Sequence, residues 1–191
     1  MIVAIPTPLA GEIRYTPPLP ASRAQLMQRS PMGAIIKVHA IYPEAFWRGA
    51  GESGVGTGNL PTIEFTADSS PPSGRPGILT GFIATARAVQ LSQATPAAQQ
   101  RAVLADYATY FGSEAAHPSQ FIVANWPAEP YTRGAFTTFM PPGVWTEYGP
   151  ALRARIGRIR WAGTETATQW PGYFDGAVRS GEDAAAAVLA E

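Results

Sequence analysis

Three stretches of the chain carry residue types that could do chemistry. In "GAGESG", Gly49, Gly51 and Gly54 satisfy the G-x-G-x-x-G spacing of a dinucleotide-binding turn. That chemistry needs a strand directly before the glycines and a helix directly after, so that a helix N-terminus meets the pyrophosphate. Here "FWR" precedes and "VGTGNLP" follows, so the stretch reads as a flexible hairpin loop. The second stretch, "RWAGTETATQWPGYFDGAV", spans residues 160–178. In it, small and hydroxyl side chains stand where a strand hands over to a helix. Gly163 and Thr164 follow the strand, and Gly172 and Tyr173 open the helix. Little bulk lets a ligand approach the backbone, backbone N–H groups supply donors, and a helix N-terminus carries partial positive charge. A tightly packed strand–loop–helix with no ligand uses the same residues. The third candidate is Lys37, a single cation in the apolar strand "GAIIKVHAIY". A strand lysine ordinarily faces solvent.

Composition removes other chemistries. The chain has 191 residues, no cysteine, and only His39 and His117. Disulfide and thiolate chemistry are excluded and a histidine-rich metal site is not expected. Lysine plus arginine equals aspartate plus glutamate at 14 each, so charge gives no case for nucleic acid or an anionic membrane. No apolar run approaches the ~18 residues of a membrane span. "MIVAIP" lacks a basic leader and is stopped by proline, so no signal peptide is read and a cytoplasmic protein is expected.

The elements that must position these residues follow from periodicity and punctuation. "MIVAIP" reads as a buried strand, and "PPLPASRAQLMQR" as a proline-led helix with Leu26 and Met27 inward. Residues 33–42, 60–67 and 77–84, "SQFIVANW" and "RIRWA" read as strands. Residues 96–112 read as a helix with Thr95 as N-cap and Gly112 past its end; Val103, Leu104, Tyr107 and Phe111 follow helical spacing. Residues 127–152 are aromatic but without period, and long loops of that kind are usually functional. Tyr173 to Ala190 reads as a helix whose Gly176, Ser180 and Ala184 let it approach a sheet closely. The fold class is α/β with a mixed sheet.

"RIRWAGTETATQWPGYFDGAVRSGEDAAAAVL" resembles the C-terminal flavin-binding segment of the flavin-dependent monoamine oxidase family. "VAIPTPLAGEIRYTPPLP", "SPMGAIIKVHAIYPEAFWR" and "EPYTRGAFTTFMPPGVWTEYGPALR" resemble further family blocks in family order; residues 48–125 match loosely. The resemblance implies a Rossmann-like FAD domain and a mixed-sheet substrate domain. It assigns residues 1–26 and 129–191 to the first and 27–128 to the second, and makes the chain the C-terminal half of the family.

The resemblance also implies residue roles. Gly163, Thr164, Gly172, Tyr173 and Phe174 are placed near FAD, with the helix N-terminus at the flavin pyrimidine edge. Trp126 is placed near the flavin or, equally, in the core at a strand end. Lys37 is placed at the flavin N5 edge, acting through a bound water in reoxidation by O2. Phe136 and Tyr173 match the two aromatic positions flanking the substrate amine, whose cation or lone pair meets electron-rich ring faces. Family members often carry tyrosine at both; Phe136 keeps the ring and loses a hydroxyl. Phe82 lines the substrate cavity. Ala135 stands where mammalian members carry a flavin-linking cysteine, so any FAD would be held non-covalently. The implied reaction is oxidative deamination: a hydride equivalent leaves the amine α-carbon for flavin N5, the imine hydrolyses to an aldehyde, and O2 becomes H2O2.

Related flavoenzymes acting on polyamines, amino acids or protoporphyrinogen remain alternatives. So does a truncated remnant, or one half of a split flavoprotein that needs a separate N-terminal FAD-binding half. Without a glycine turn and acidic residue for the dinucleotide, the chain alone is expected to be colourless, aggregation-prone and inactive. "MIVAIP" and "RIRWA" are expected to lack parallel neighbours.

Overall fold

The computed structural model describes residues 1–190. In chain order the elements are β1 (Ile2–Val3), α1 (Thr7–Ala10), α2 (Ala21–Arg29), β2 (Ile35–Tyr42), α3 (Phe46–Gly49), β3 (Phe65–Asp68), β4 (Gly77–Ala84), α4 (Thr85–Ser92), α5 (Pro96–Phe111), β5 (Gln120–Asn125), α6 (Val144–Tyr148), β6 (Arg160–Trp161) and α7 (Phe174–Leu189). The fold is mixed α/β, with one parallel strand pair and one antiparallel sheet among the described residues. The chain divides into two compact units: Ala34–Glu129, and Met1–Gly33 with the residues from Pro130 onward.

In the Ala34–Glu129 unit, β2 alternates strictly. Ile36, Val38, Ala40 and Tyr42 are buried on one face, and Lys37 and His39 lie on the other. Alternation of this kind fixes register, because a one-residue slip would turn every core side chain outward. β2 is central in the order β3-β4-β2-β5. α5 covers the core face, burying Val103 and Tyr107. Its start is as expected: the Thr95 hydroxyl accepts from the Ala98 N–H at 3.3 Å, and Pro96 follows at a position where no N–H is needed. Gly112 ends it with φ +84°.

The strand expected at 60–67 begins only at Phe65. Asp106 is the reason. Its Oδ2 accepts from the Thr62 and Ile63 N–H groups at 2.7 Å each, taking two donors that a longer ladder would have used. The glycine-rich segment also differs from the flexible hairpin expected. No helix follows Gly54, so the dinucleotide reading fails, but the loop is pinned. A Cβ at Gly54 would lie 2.8 Å from the Asp68 Cβ and 2.9 Å from Trp47 Nε1. Asp68 accepts from Trp47 Nε1 at 2.9 Å, Arg48 Nε at 2.6 Å and Ser70 N–H at 2.8 Å.

In the other unit, β1 and β6 pair in parallel with each other, Ile2 opposite Arg160 and Val3 opposite Trp161. Each strand therefore has the other as a parallel neighbour, which corrects the expectation of none, and each keeps its other edge unpaired in this two-stranded sheet. Of the run read as a buried strand, Val3 is buried, whereas Ile2 and Ile5 are exposed. Leu26 and Met27 of α2 point inward as their spacing implied. Arg23 is buried with them. Its guanidinium donates to the Ala151 and Leu152 carbonyls at 3.0 and 2.8 Å and stacks 3.6 Å from the Trp161 ring. Burial lowers its pKa to about 10, which leaves it a cation at neutral pH.

Candidate functional site

β6 ends at Trp161, and Gly163 turns the chain with φ +119°, a conformation open to glycine. The Gly163 N–H donates to Ser180 Oγ at 2.9 Å. The small face of α7 thus packs on the turn and the loop after it more than on a sheet, which corrects the expectation. A Cβ at Gly176 would lie 2.2 Å from the Trp170 carbonyl oxygen, so only glycine fits. Thr164 ties the far end: its Oγ1 donates to the Tyr173 carbonyl at 3.0 Å and accepts from the Gly172 N–H at 2.7 Å. The Gly163 and Gly172 donors expected to meet a ligand are therefore used within the protein. The donors left for a ligand are the first-turn amides of α7, whose N-cap Tyr173 offers no side-chain acceptor.

The opposite wall comes from the aperiodic stretch. Residues 133–139 run alongside 31–33, with the Ala135 N–H on the Gly33 carbonyl at 2.8 Å, the Gly33 N–H on the Thr137 carbonyl at 3.0 Å, and the Phe139 N–H on the Pro31 carbonyl at 2.8 Å. The two backbones are so close that a Cβ at Gly33 would lie 2.4 Å from the Ala135 carbonyl oxygen. This clamp buries Ala135 and leaves Phe136 63% exposed across a cis Ala135–Phe136 peptide. The Arg133–Glu12 ion pair anchors the segment's start.

Together these pieces form an open cleft of about 740 Å³ lined by Phe136, Thr137, Thr164, Gly172, Tyr173, Phe174 and Ala177. Five residues picked from the sequence, Phe136, Thr164, Gly172, Tyr173 and Phe174, share that lining, and Gly163 adjoins it in the chain. The lining is mainly apolar, and Tyr173 and Phe174 are 67% and 93% exposed. A Cβ at Gly172 would meet nothing within 4 Å, so the space beside the cleft is open there, and the φ of +87° is what favours glycine. Two functional candidates were missed in the sequence. Glu165 accepts from Thr137 Oγ1 at 3.1 Å and the Thr138 N–H at 3.3 Å. Arg153 donates to the Thr166 and Ala167 carbonyls at 2.7 and 2.8 Å. For Glu165 the available signal was a charged side chain inside a run of small residues, "GTETA"; Arg153, in "ALRARIG", carried none.

The remaining picks lie in the Ala34–Glu129 unit. Lys37 faces away from that unit's core, opposite Phe82 in the β2–β4 register, with Nζ 5.6 Å from the Phe82 ring centroid. Phe82 in turn sits 5.9 Å from the Phe65 ring. On the same face, His39 Nδ1 is 2.8 Å from Thr80 Oγ1, which is 2.7 Å from Ser69 Oγ. Burial and then the Lys37 charge lower the His39 pKa, favouring the neutral ring. Trp126 follows β5 and is 36% exposed, which sets it apart from the buried core. A second hollow, about 520 Å³ and lined by Pro61, Thr62, Arg87, Gln90, Leu91, Gln93 and Ala94, contains none of the picks. Among the described residues no His/Asp/Glu group could hold a metal ion, and no helix is long and apolar enough to cross a membrane.

Residues 1–189 match the family model for flavin-containing amine oxidoreductases. The chain belongs to that family. Among curated relatives of this chain, an L-amino acid dehydrogenase of Synechocystis is 47% identical over 98% of this chain and 40% of its own length. The flavin-containing amine oxidase A of Sus scrofa is 42% identical over 99% of this chain and 36% of its own. Among solved structures, cyclohexylamine oxidase from Brevibacterium oxydans IH-35A superposes with TM-score 0.90 at 39% identity, covering 98% of this chain and 42% of that one. Putrescine oxidase bound to putrescine gives TM-score 0.92 at 32% identity, covering 100% and 42%. The chain spans about two fifths of the length of these relatives.

Proposed function

We propose that the cleft between Phe136 and Tyr173 receives the ring system of FAD and an amine, and that the chain is the flavin-edge and substrate portion of an FAD-dependent amine oxidase. The observation that carries this reading is the convergence of Phe136, Thr164, Gly172, Tyr173 and Phe174 on one cleft. The cleft suits a flat apolar ring with a polar edge: aromatic walls, space beside Gly172, and uncapped α7 amides that favour developing negative charge. Bound there, FAD would accept a hydride equivalent from the amine α-carbon and pass its electrons to O2. Phe136 and Tyr173 orient the amine by their ring faces and exclude water from it. Lys37 keeps the role the family resemblance gives it, a cation that stabilises charge developing on oxygen during reoxidation. We assign residues 1–33 and 130 onward to the FAD-binding side and 34–129 to the substrate side, following the two compact units.

The pyrophosphate and ribose of FAD call for a glycine turn that Gly49 to Gly54 do not form. We propose that the portion of the relatives beyond this match supplies it. Alone with excess FAD, the 191-residue chain is expected to stay colourless and to make no peroxide from amines. Co-expression with the N-terminal portion of a family member is expected to give a yellow, active protein. Stoichiometric flavin and amine turnover by the chain alone would show the division of labour to be wrong. Failure of every completed protein to bind FAD would remove the flavin reading itself.

In the yellow protein, acid precipitation is expected to release the flavin into the supernatant, since Ala135 offers no sulfur; flavin retained in the pellet contradicts non-covalent binding. Lys37→Met is expected to slow reaction with oxygen about tenfold or more, and anaerobic reduction far less. Equal slowing in both half-reactions by stopped flow removes the role given to Lys37. The similarity to an L-amino acid dehydrogenase supports a second reading, with an α-amino acid as substrate. Parallel assays with amines and L-amino acids, using O2 and an artificial electron acceptor, separate the two.

A further inference from the structure

Two consecutive residues hold the two walls of the cleft. Thr164 holds the Tyr173 wall, through the Gly172 N–H at 2.7 Å and the Tyr173 carbonyl at 3.0 Å. Glu165 holds the Phe136 wall, through the Thr137 hydroxyl at 3.1 Å and the Thr138 N–H at 3.3 Å. Thr137 and Thr138 are the two residues that follow Phe136. The turn carrying Thr164 and Glu165 is itself fixed on three sides. Gly163 N–H is bound by Ser180, the Thr166 hydroxyl donates back to the Gly163 carbonyl at 2.8 Å, and Arg153 grips the Thr166 and Ala167 carbonyls.

We infer that Glu165 is a positioning residue: it sets the place of Phe136 relative to Tyr173, and with it the width of the slot between them. Glu165 does not line the cleft; its Oε1 takes the Thr137 hydroxyl and the Thr138 N–H, and it acts through those two residues. A carboxylate suits the task because it only accepts, and one oxygen can take both donors. Hydrogen bonds to a charged acceptor are about twice as strong as neutral ones. Holding reacting groups in place matters because a displacement of about 1 Å can cost on the order of 100-fold in rate. The clamp stands on its own geometry; its consequence for amines rests on the function proposed above.

Amide hydrogen exchange on the 191-residue protein tests the clamp without any flavin. Glu165→Ala is expected to speed exchange at Thr138 about tenfold while Gly172 stays protected. Thr164→Val is expected to do the reverse. Glu165→Gln keeps an acceptor oxygen and is expected to leave Thr138 protected. If Glu165→Ala does not fold, Glu165→Asp withdraws the carboxylate by one methylene and is expected to speed Thr138 exchange roughly threefold. Unchanged Thr138 exchange in Glu165→Ala, or in Glu165→Asp where the alanine variant does not fold, overturns the inference, as does release of both amides together by Glu165→Ala or by Thr164→Val. In the completed flavoprotein, Glu165→Ala is expected to raise KM for the amine about tenfold at unchanged flavin content, with Glu165→Gln restoring it. An unchanged KM reduces Glu165 to a structural contact and overturns the positioning role. If no completed protein takes up flavin, the flavin reading falls while the exchange cross still decides the clamp.

Discussion

The two compact units differ in where most of their large aromatic side chains lie, although Trp161 is buried in one and Phe65 exposed in the other. In Ala34–Glu129, Tyr42, Trp47 and Tyr107 are at most 2% exposed and interlock edge to face: Tyr42 and Trp47 lie 5.8 Å apart, and Tyr107 and Phe111 6.5 Å. In the other unit, Phe136, Phe139, Trp145, Trp170, Tyr173 and Phe174 are all more than half exposed. The first set closes a core between a sheet and a helix. In the second set, Phe136, Tyr173 and Phe174 line a cleft, and Trp170 meets Tyr173 edge to face at 6.3 Å. Aromatic content alone therefore says little. A ring whose neighbours are strand and helix residues stabilises the fold, and a ring exposed on a hydrogen-bonded loop can meet a ligand.

The sharpest way to break this contrast is to truncate one tyrosine in each region. Tyr107→Ala is expected to destabilise the Ala34–Glu129 unit by about 3–5 kcal/mol, the range for large buried side chains. Urea unfolding followed by tryptophan fluorescence measures it, and a loss below about 1 kcal/mol would mean that this ring is not core. Asp68 comes next. Burial alone would raise its pKa, but hydrogen bonds from Arg48, Ser70 and Trp47 outweigh burial and bring it down to about 2. A depressed folded-state pKa contributes stability that is present above the unfolded value near 4 and is lost as pH falls toward 2. Asp68→Asn is expected to remove up to about 2 kcal/mol of that pH-dependent stability. Acid titrations of unfolding for both proteins should therefore be offset by a constant amount above about pH 4 and converge as pH falls toward 2. Parallel curves would show that Asp68 is not the source.

A smaller effect is expected at the α5 cap. Thr95→Ala removes the acceptor of the Ala98 N–H and should cost about 1 kcal/mol. No change in the unfolding midpoint would place the cap outside the energetics of that unit. The smallest effect on stability is expected at Tyr173, which is 67% exposed. Tyr173→Ala should change unfolding by less than about 0.5 kcal/mol, as for surface side chains, yet strongly reduce amine turnover in the flavin-loaded, completed protein. A Tyr173→Ala that unfolds the protein would make its ring core like Tyr107 and erase the contrast between the regions.

The sequence by itself determined what rests on local period and punctuation. The β2 alternation sorted Ile36, Val38, Ala40 and Tyr42 from Lys37 and His39, and the Thr95–Pro96 start and Gly112 end bounded α5 within a residue. Both depend on backbone geometry over a few positions, which residue types report directly. It also placed small residues where α7 needed them, although not their partner: the face that looked made for a sheet packs on the Gly163 turn and the Trp170 carbonyl. Tertiary structure alone decided the rest. The start of β3 depends on Asp106, more than 40 residues away, taking two N–H groups. The aperiodic stretch at 133–139 had no readable shape because its order comes from hydrogen bonds to residues 31–33, about a hundred positions earlier. The charge of Glu165 stood out among small residues, but its role did not: a carboxylate declares its role only through the donors brought to it, and Thr137 and Thr138 reach it through the fold. Local pattern encodes which way a side chain points; only the closed chain says what it meets.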